Sequence, residues 1–205
     1  MRNVYFNHDG SVDDLVSLLL LLQMSDVHLT GVGVVGADSY LEPALAATRK
    51  VIDRFGHDTH LEVAASDSRG VHPFPKEWRL DAFSLDALPI LNESGTMVTP
   101  VAPKPAHLDL VDRLQATSEK TTLVMTGPLT DLARALQADP SITAKIEQLY
   151  WSGGGPLMVV AMLPNLNKTG LLSGMLIGTR RPLRLSGIVT SLSKWLDLKA
   201  LVKSH

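Results

Sequence analysis

Apolar segments of two lengths alternate along the first 155 residues. Short runs rich in β-branched residues, at residues 27–35 and 121–125, have the length of buried strands. Longer segments, such as residues 41–55, place apolar side chains three and four positions apart, which is the period of a helix. This repeated order of strand and helix predicts an α/β fold with a mostly parallel open sheet and helices on both faces.

The same patterns place the remaining elements. Strands are predicted at residues 3–6, 27–35, 60–65, 121–125 and 149–151, and helices at residues 13–24, 41–55, 108–116, 129–137 and from Pro140 onward. Gly56 is expected to cap the second helix. Residues 66–105 contain six prolines and little periodicity. They predict a long loop region with short local structure, of the kind that often carries function.

Acidic side chains gather where the first predicted strand ends. Asp9, Asp13 and Asp14 fall within six positions, directly before the apolar run at residues 15–22. Buried carboxylates are costly unless a cation binds them, and hard divalent cations such as Ca²⁺ take oxygen ligands of this kind. The alternative is helix capping, which accounts for one or two of these acids.

This segment resembles the N-terminal signature of the inosine-uridine preferring nucleoside hydrolases, an apolar strand followed by D-x-D-x-x-x-D-D. Here the signature reads N-H-D-G-S-V-D-D, so Asn7 replaces the first acid. A second segment, T-L-V-M-T-G-P-L-T-D-L-A from Thr122, is similar to the family's strand followed by T-G-P-L-T-N-L-A. The two segments lie in the family's order and more than a hundred residues apart. The resemblance runs from about residue 3 to Gly155.

The resemblance implies a nucleoside hydrolase-like fold and Ca²⁺-dependent hydrolysis of ribonucleosides to free base and ribose, in purine and pyrimidine salvage. By motif position, Asp9 would bind Ca²⁺ and act as general base on the attacking water. Asp14 would be a bidentate Ca²⁺ ligand, and Asp13 would hold the ribose 2′-hydroxyl. The backbone carbonyl of Thr126 would be a further Ca²⁺ ligand. Asp38, at the end of another predicted strand, would contact the ribose, and an ordinary helix cap is the alternative.

The composition and charge of the chain indicate which partners and which cellular compartment to expect. The chain contains no cysteine, which excludes disulfides, thiolate metal sites and cysteine nucleophiles. A net charge of -2 gives no reason to expect nucleic acid as a partner. The longest apolar run is too short to span a bilayer, and no signal peptide is recognised, so we expect a cytoplasmic protein. A homo-oligomer of the family's kind is expected only through the resemblance.

The sequence changes character near residue 155. Residues 1–155 carry 12 basic and 20 acidic residues, whereas residues 156–205 carry seven basic residues and one acid, Asp197. The family continues here with G-G-N-V and an A-E-F/W-N segment that clamps the ribose hydroxyls, and this chain reads M-V-V-A-M-L-P-N-L-N instead. Codons can be chosen for residues 158–179 so that a shifted frame, from the last base of the Met158 codon, encodes G-G-G-N-V-A-E-P-E-Q-D-G-T-A-E-W-N-A-Y-W-D-P.

We therefore interpret residues 1–155 as an incomplete nucleoside hydrolase-like domain and residues 156–205 as an aberrant tail produced by a frameshift. A divergent C-terminal extension is the alternative. The frameshift interpretation predicts a tail that packs poorly, and a chain without the family's last acidic Ca²⁺ ligand. An inactive fragment or pseudoenzyme with a partial Ca²⁺ and ribose site is the alternative function. A phosphatase-like use of Asp9 would require a second Asp where Ser11 stands.

Overall fold

The computed structural model describes residues 1–57, 60–69 and 74–152, together with the backbone of residues 159–161. Its strands are β1 (Arg2–His8), β2 (Val27–Val34), β3 (Val63–Ala65), β4 (Thr121–Met125), β5 (Ile146–Trp151) and β6 (Val159–Ala161). Its helices are α1 (Val12–Gln23), α2 (Leu41–Phe55), α3 (Asp81–Asp86), α4 (Pro89–Asn92), α5 (Ala106–Ala116) and α6 (Thr130–Ala138). Short 3-10 helices cover Lys76–Trp78 and Pro140–Lys145.

The strands form one sheet in the order β3-β2-β1-β4-β5-β6. Strands β1 to β5 are parallel, and β6 runs antiparallel to β5. The chain starts in the middle of the sheet, builds outward to β3, and then returns to the other side of β1. Asn7, near the end of β1, pairs with Gly33 of β2 and with Met125 of β4. The carboxyl ends of three strands therefore meet at the point where the strand order reverses, which is where ligands bind in open α/β sheets.

Each face of the sheet carries its own apolar layer. Val4 and Phe6 of β1 pack with the inner faces of α1 and α2, whereas Tyr5 points to the opposite layer with α5 and α6. This alternation is the two-residue period of a strand buried on both sides. The α/β fold predicted from the sequence, with helices on both faces of a mostly parallel sheet, is confirmed.

A close approach between β1 and β2 fixes the layer around Tyr5. A Cβ atom at Gly31 would lie 2.8 Å from the Tyr5 ring, so only glycine leaves room for that ring. The Tyr5 hydroxyl donates a hydrogen bond to Asp109 of α5 at 3.1 Å. Arg113, one turn later on α5, donates to Asp109 and to Glu62 at the approach to β3. This network holds the central strand against α5, immediately before the strand reaches its carboxyl end.

Most predicted boundaries lie within a few residues of the observed ones. The predictions for residues 41–55 and 121–125 coincide with α2 and β4, and the Gly56 amide caps α2 by donating to the Ile52 carbonyl at 2.7 Å. The segment after Pro140 is a 3-10 helix, and not a further α-helix. None of the helices in the described part of the chain is long and apolar enough to cross a membrane.

Most of the predicted aberrant tail lies outside the described residues. Its described part is β6, three residues that pair with β5 through Leu149↔Ala161, Tyr150↔Val160 and Trp151↔Val159. The boundary at residue 155 and the frameshift therefore stay predictions.

Burial predicts which leucines the fold depends on. Leu123 of β4 is fully buried, whereas Leu20 of α1 is 41% exposed. We expect Leu123→Ala to lower the free energy of unfolding by about 2–5 kcal/mol, because it leaves a cavity between the sheet and α5. Leu20→Ala, the matched control, should cost less than about 1 kcal/mol. Urea unfolding measured by circular dichroism checks both values, and equal losses would contradict the described core.

Candidate active site

The candidate active site lies where β1 and β4 end side by side. Asp9 follows β1 directly, and Thr126 follows β4. The Thr126 amide continues the sheet by donating to the Asn7 carbonyl at 2.9 Å. The two segments that carry the sequence signatures are therefore neighbours in the fold, because they extend adjacent parallel strands.

Asp14 ties the acidic loop to the start of α1. Helix α1 begins after Ser11, and one Asp14 oxygen accepts the backbone N–H groups of Ser11 at 3.2 Å and of Asp9 at 3.1 Å. The capping interpretation thus holds for Asp14, whose side chain is buried. The same bonds draw the loop that carries Asp9 around the Asp14 carboxylate, which brings the two acids together.

Asp13 and Asp38 complete a group of four acids. The Ser11 hydroxyl donates to one Asp13 oxygen. Asp38 lies in the loop between β2 and α2, and its neighbour Ser39 donates from its amide to the Asp9 carbonyl at 3.0 Å and from its hydroxyl to the Gly10 carbonyl at 2.8 Å. These bonds hold the loop of Asp38 against the loop of Asp9.

Burial and mutual repulsion raise the pKa values of these acids. Burial raises the pKa of Asp9 well above its usual range, and the nearby Asp14 carboxylate raises it further. The pKa of Asp13 is raised by burial and then by Asp14. For Asp38, burial first and then Asp14 and Asp13 raise the pKa to about 6, although the Arg79 guanidinium lowers it. The four acids thus have too little positive charge near them to stabilise their ionised forms. A bound cation would supply that charge.

Two glycines, Gly127 and Gly10, leave room for close packing around the loop that carries Asp9. A Cβ atom at Gly127 would lie 3.0 Å from the Asp9 Cβ and 3.1 Å from its carboxyl carbon. Gly10 has a φ of 83°, a left-handed conformation that favours glycine, and a Cβ there would meet Ala44 of α2. Trp151 at the end of β5 donates its indole N–H to the Gly127 carbonyl at 3.0 Å, which fixes the loop after β4.

His8, inside the first signature, is part of the packing. It is fully buried and stacks on Phe6, with ring centroids 4.9 Å apart. Its Nδ1 accepts the Gly10 amide at 3.2 Å, and its Nε2 lies 3.2 Å from the Thr48 hydroxyl, which donates to the Ala44 carbonyl. Burial lowers the pKa of His8. The ring is thus a neutral, fully bonded imidazole that donates to Thr48.

One buried acid was missed by the sequence analysis. Asp131, at the start of α6, accepts hydrogen bonds from the Asn7 amide at 3.1 Å, from Ser66 at 2.6 Å and from Ser68 at 2.7 Å. A signal was present in the sequence, because the second segment reads T-D-L-A at Asp131 where the family has T-N-L-A. Only the fold shows that this departure lies against the other one, Asn7.

The donor atoms of this site are hard oxygens, which suit Ca²⁺. Asp9 and Asp14 supply carboxylates, and the Asn7 amide oxygen and the Thr126 hydroxyl are buried atoms that have no hydrogen-bond partner among the residues the structure describes. Within the described ranges, no three Asp, Glu or His side chains are already gathered as a metal cluster. The residues fit a Ca²⁺ site built from two carboxylates and backbone or side-chain oxygens, and the ligand set stays a prediction.

A family model and solved structures match this chain. The model for inosine-uridine preferring nucleoside hydrolases matches residues 4–164. The crystal structure of an inosine-uridine preferring nucleoside hydrolase from Bacillus anthracis is 66% identical, with a TM-score of 0.74, over 76% of this chain and 51% of that one. An inosine-guanosine nucleoside hydrolase, 19% identical, shares the fold with a TM-score of 0.61, over 75% of this chain and 50% of that one.

An uncharacterised protein of Schizosaccharomyces pombe is 29% identical over 157 residues, which are 74% of this chain and 45% of that protein. The chain thus spans about half the length of the relatives that it matches. The match of the family model, the structural similarity and the two signatures at one sheet edge lead to the same conclusion. The chain belongs to the inosine-uridine preferring nucleoside hydrolase family.

Proposed function

We propose that this chain carries the Ca²⁺- and ribose-binding part of a hydrolase that cleaves ribonucleosides to free base and ribose. The observation that supports it most directly is the group of four acids at the carboxyl ends of the central strands, in a chain of this family. Acids that raise each other's pKa values are typical of functional sites. A cation and the positive charge that develops on the ribose are the two partners that this group would stabilise.

Asp9 is the proposed general base. A carboxylate held beside the attacking water can take its proton as the water reacts. Asp9, Asp14 and the Thr126 carbonyl would hold the Ca²⁺, with the Asp9 position fixed by the loop bonds described above. When bound, Ca²⁺ would lower the pKa of the attacking water and orient the ribose diol.

Asp13 and Asp38 are the proposed ribose contacts. The Ser11 hydroxyl, which donates to one Asp13 oxygen, holds that carboxylate in place for the 2′-hydroxyl. Cleavage of the N-glycosidic bond passes through an oxocarbenium-like transition state, whose positive charge nearby carboxylates stabilise. The negative field of the four acids thus favours the transition state over the neutral nucleoside.

The proposal extends to nucleoside salvage in the cytoplasm and to a homo-oligomer of the family's kind, both through the resemblance. The proposal also includes that the 205-residue chain has lost the hydrolase activity. The sequence after residue 155 does not contain the segment with which the family clamps the ribose hydroxyls. That departure favours the second candidate, an inactive fragment with a partial Ca²⁺ and ribose site, for the 205-residue chain as it stands.

Ca²⁺ binding is tested on the full chain with substitutions that keep the side-chain shape. We expect Ca²⁺ to raise the Tm of the parent protein, because a ligand that binds only the folded state stabilises it. Asp9→Asn and Asp14→Asn should each weaken Ca²⁺ binding at least about tenfold, because each removes an anionic ligand. Asp112→Asn, on the exposed surface of α5, is the matched control. Calorimetric titration and thermal shift check this, and equal Ca²⁺ affinity in all four proteins would refute the assignment.

The close contact at Gly127 gives an independent test of the same site. Gly127→Ala should lower Ca²⁺ affinity by about tenfold or more, because the added methyl group pushes the Thr126 loop away from Asp9. Ser94→Ala, in an exposed loop, is a control for a small side-chain change away from the site. Unaltered Ca²⁺ affinity in Gly127→Ala would place the cation away from this loop.

Activity is tested by comparing the 205-residue chain with a protein whose reading frame is restored near residue 157 and continues downstream. We expect little or no ribose release from inosine or uridine by the former. Each missing contact to a ribose hydroxyl costs on the order of 1–3 kcal/mol in transition-state binding. The restored protein should hydrolyse both nucleosides with Ca²⁺, and its Asp9→Ala variant should not. Robust turnover by the 205-residue chain would contradict the interpretation of the tail, and an inactive restored protein would contradict the proposed function.

A further inference from the structure

A buried amide–carboxylate pair lies beside the four acids. The Asn7 side chain, at the end of β1, donates from its Nδ2 to an oxygen of Asp131 at 3.1 Å. Both side chains are only 1% exposed. A hydrogen bond to a carboxylate is stronger than one between neutral groups, so this contact fixes the Asn7 amide firmly.

The chemistry of the pair determines which way the amide points. An ionised carboxylate only accepts hydrogen bonds, so Asn7 must turn its NH₂ group toward Asp131. The amide oxygen is then left buried without a hydrogen-bond partner in the described part of the protein. Asn7 lies in β1 two residues before Asp9, which follows the strand. The pair thus leaves a free Asn7 oxygen near the end of β1, close in the chain to the Asp9 loop.

Asp131 connects three elements at this edge of the sheet. Its second oxygen accepts the hydroxyls of Ser66 and Ser68, which follow β3, at 2.6 and 2.7 Å. Asp131 lies in the first turn of α6, where the helix dipole favours a negative charge. Arg134, one turn later, donates to Ser68 at 2.8 Å. The charge of Asp131 is therefore held rigidly in place.

Asn7 also connects the two segments that would hold the cation. Its backbone carbonyl accepts the Thr126 amide at 2.9 Å, while its side chain is bound to the helix that follows the Thr126 loop. Displacement of the Asn7 side chain would disturb the end of β1 and the loop after β4 together. Asp9 and Thr126 belong to these two segments.

The two residues depart from the family signatures in opposite senses. Asn7 stands where the first signature has Asp, and Asp131 stands where the second has Asn. In the fold these two departures meet in one hydrogen bond. The pair thus keeps one carboxylate and one amide, with their positions exchanged.

We propose that Asp131 is a positioning residue of the candidate active site, which replaces the carboxylate absent at position 7 and orients the Asn7 amide beside the cation-binding loops. This inference rests on the proposed function for the identity of the cation. The hydrogen-bonded pair of Asn7 and Asp131 does not depend on the identity of the cation. The pairing and the cation site can therefore be tested separately.

The test is a double-mutant cycle in the full chain with Asn7→Asp, Asp131→Asn and the double exchange. Asn7→Asp places two buried carboxylates next to each other, and they repel. Asp131→Asn removes the anionic acceptor of the hydrogen bonds from Asn7, Ser66 and Ser68. Each single variant should lower the Tm by about 4 °C or more without Ca²⁺. The double exchange restores a carboxylate–amide pair, and it should recover more than half of the summed loss. Asp112→Asn should leave the Tm within about 1 °C of the parent.

Ca²⁺ titration of the same proteins separates a positioning role from a merely structural one. Asp131→Asn should bind Ca²⁺ about tenfold more weakly, and the double exchange should return to within about threefold of the parent. If Asn7→Asp does not fold while the double exchange does, the coupling is supported in its strongest form. Additive Tm changes would overturn the pair. Coupled Tm changes with parental Ca²⁺ affinity in Asp131→Asn would overturn the positioning role alone. A parent that binds no Ca²⁺ would overturn the proposed cation site and the positioning role with it, while the Tm cycle still decides whether the exchange is real.

Discussion

The pairing of β1 with both β2 and β4 is the constraint on which the candidate active site depends. Parallel neighbours end at the same edge of a sheet, so the central position of β1 brings Asp9, the Asp38 loop and Thr126 together. Gly31 lets β1 and β2 pack with the Tyr5 ring between the sheet and α5, and Gly127 lets the loop after β4 reach Asp9. A bulkier residue at either glycine would separate segments that the site needs close together.

This convergence of acidic side chains has an electrostatic cost. Backbone amides of Ser11 and Asp9 stabilise Asp14, and Arg79 partly offsets Asp38, yet the pKa values of Asp9, Asp13 and Asp38 remain raised. A site that disfavours its own charged form has free energy to release on binding a cation. Functional sites commonly reduce the stability of a fold in this way.

The Asn7–Asp131 pair shows how such a site can tolerate a changed signature residue. Replacing an acid by an amide on β1 removes a charge, and an acid on α6 returns that charge one hydrogen bond away. Ser66, Ser68 and the start of α6 hold the acid where it is needed. When each signature position is compared alone, Asn7 and Asp131 are two separate departures. In the fold their side chains share one hydrogen bond, and the pair keeps one carboxylate and one amide.

The sequence by itself determined the order of β1 to β5 and of the longer helices α1, α2, α5 and α6, the two signatures and the identity of the acids at the ends of strands. These follow from local periodicity and from residue chemistry, as the agreement of residues 41–55 and 121–125 with α2 and β4 shows. Helix capping by Asp14 was also within reach of the sequence, because it depends on residues three positions apart. The tertiary structure alone decided what lies across the sheet: the bonds of Ser39 to the Asp9 loop, the approach of Gly127 to Asp9, and the meeting of Asn7 with Asp131. These contacts join residues far apart in the chain, and their geometry is set by the packing of the whole domain.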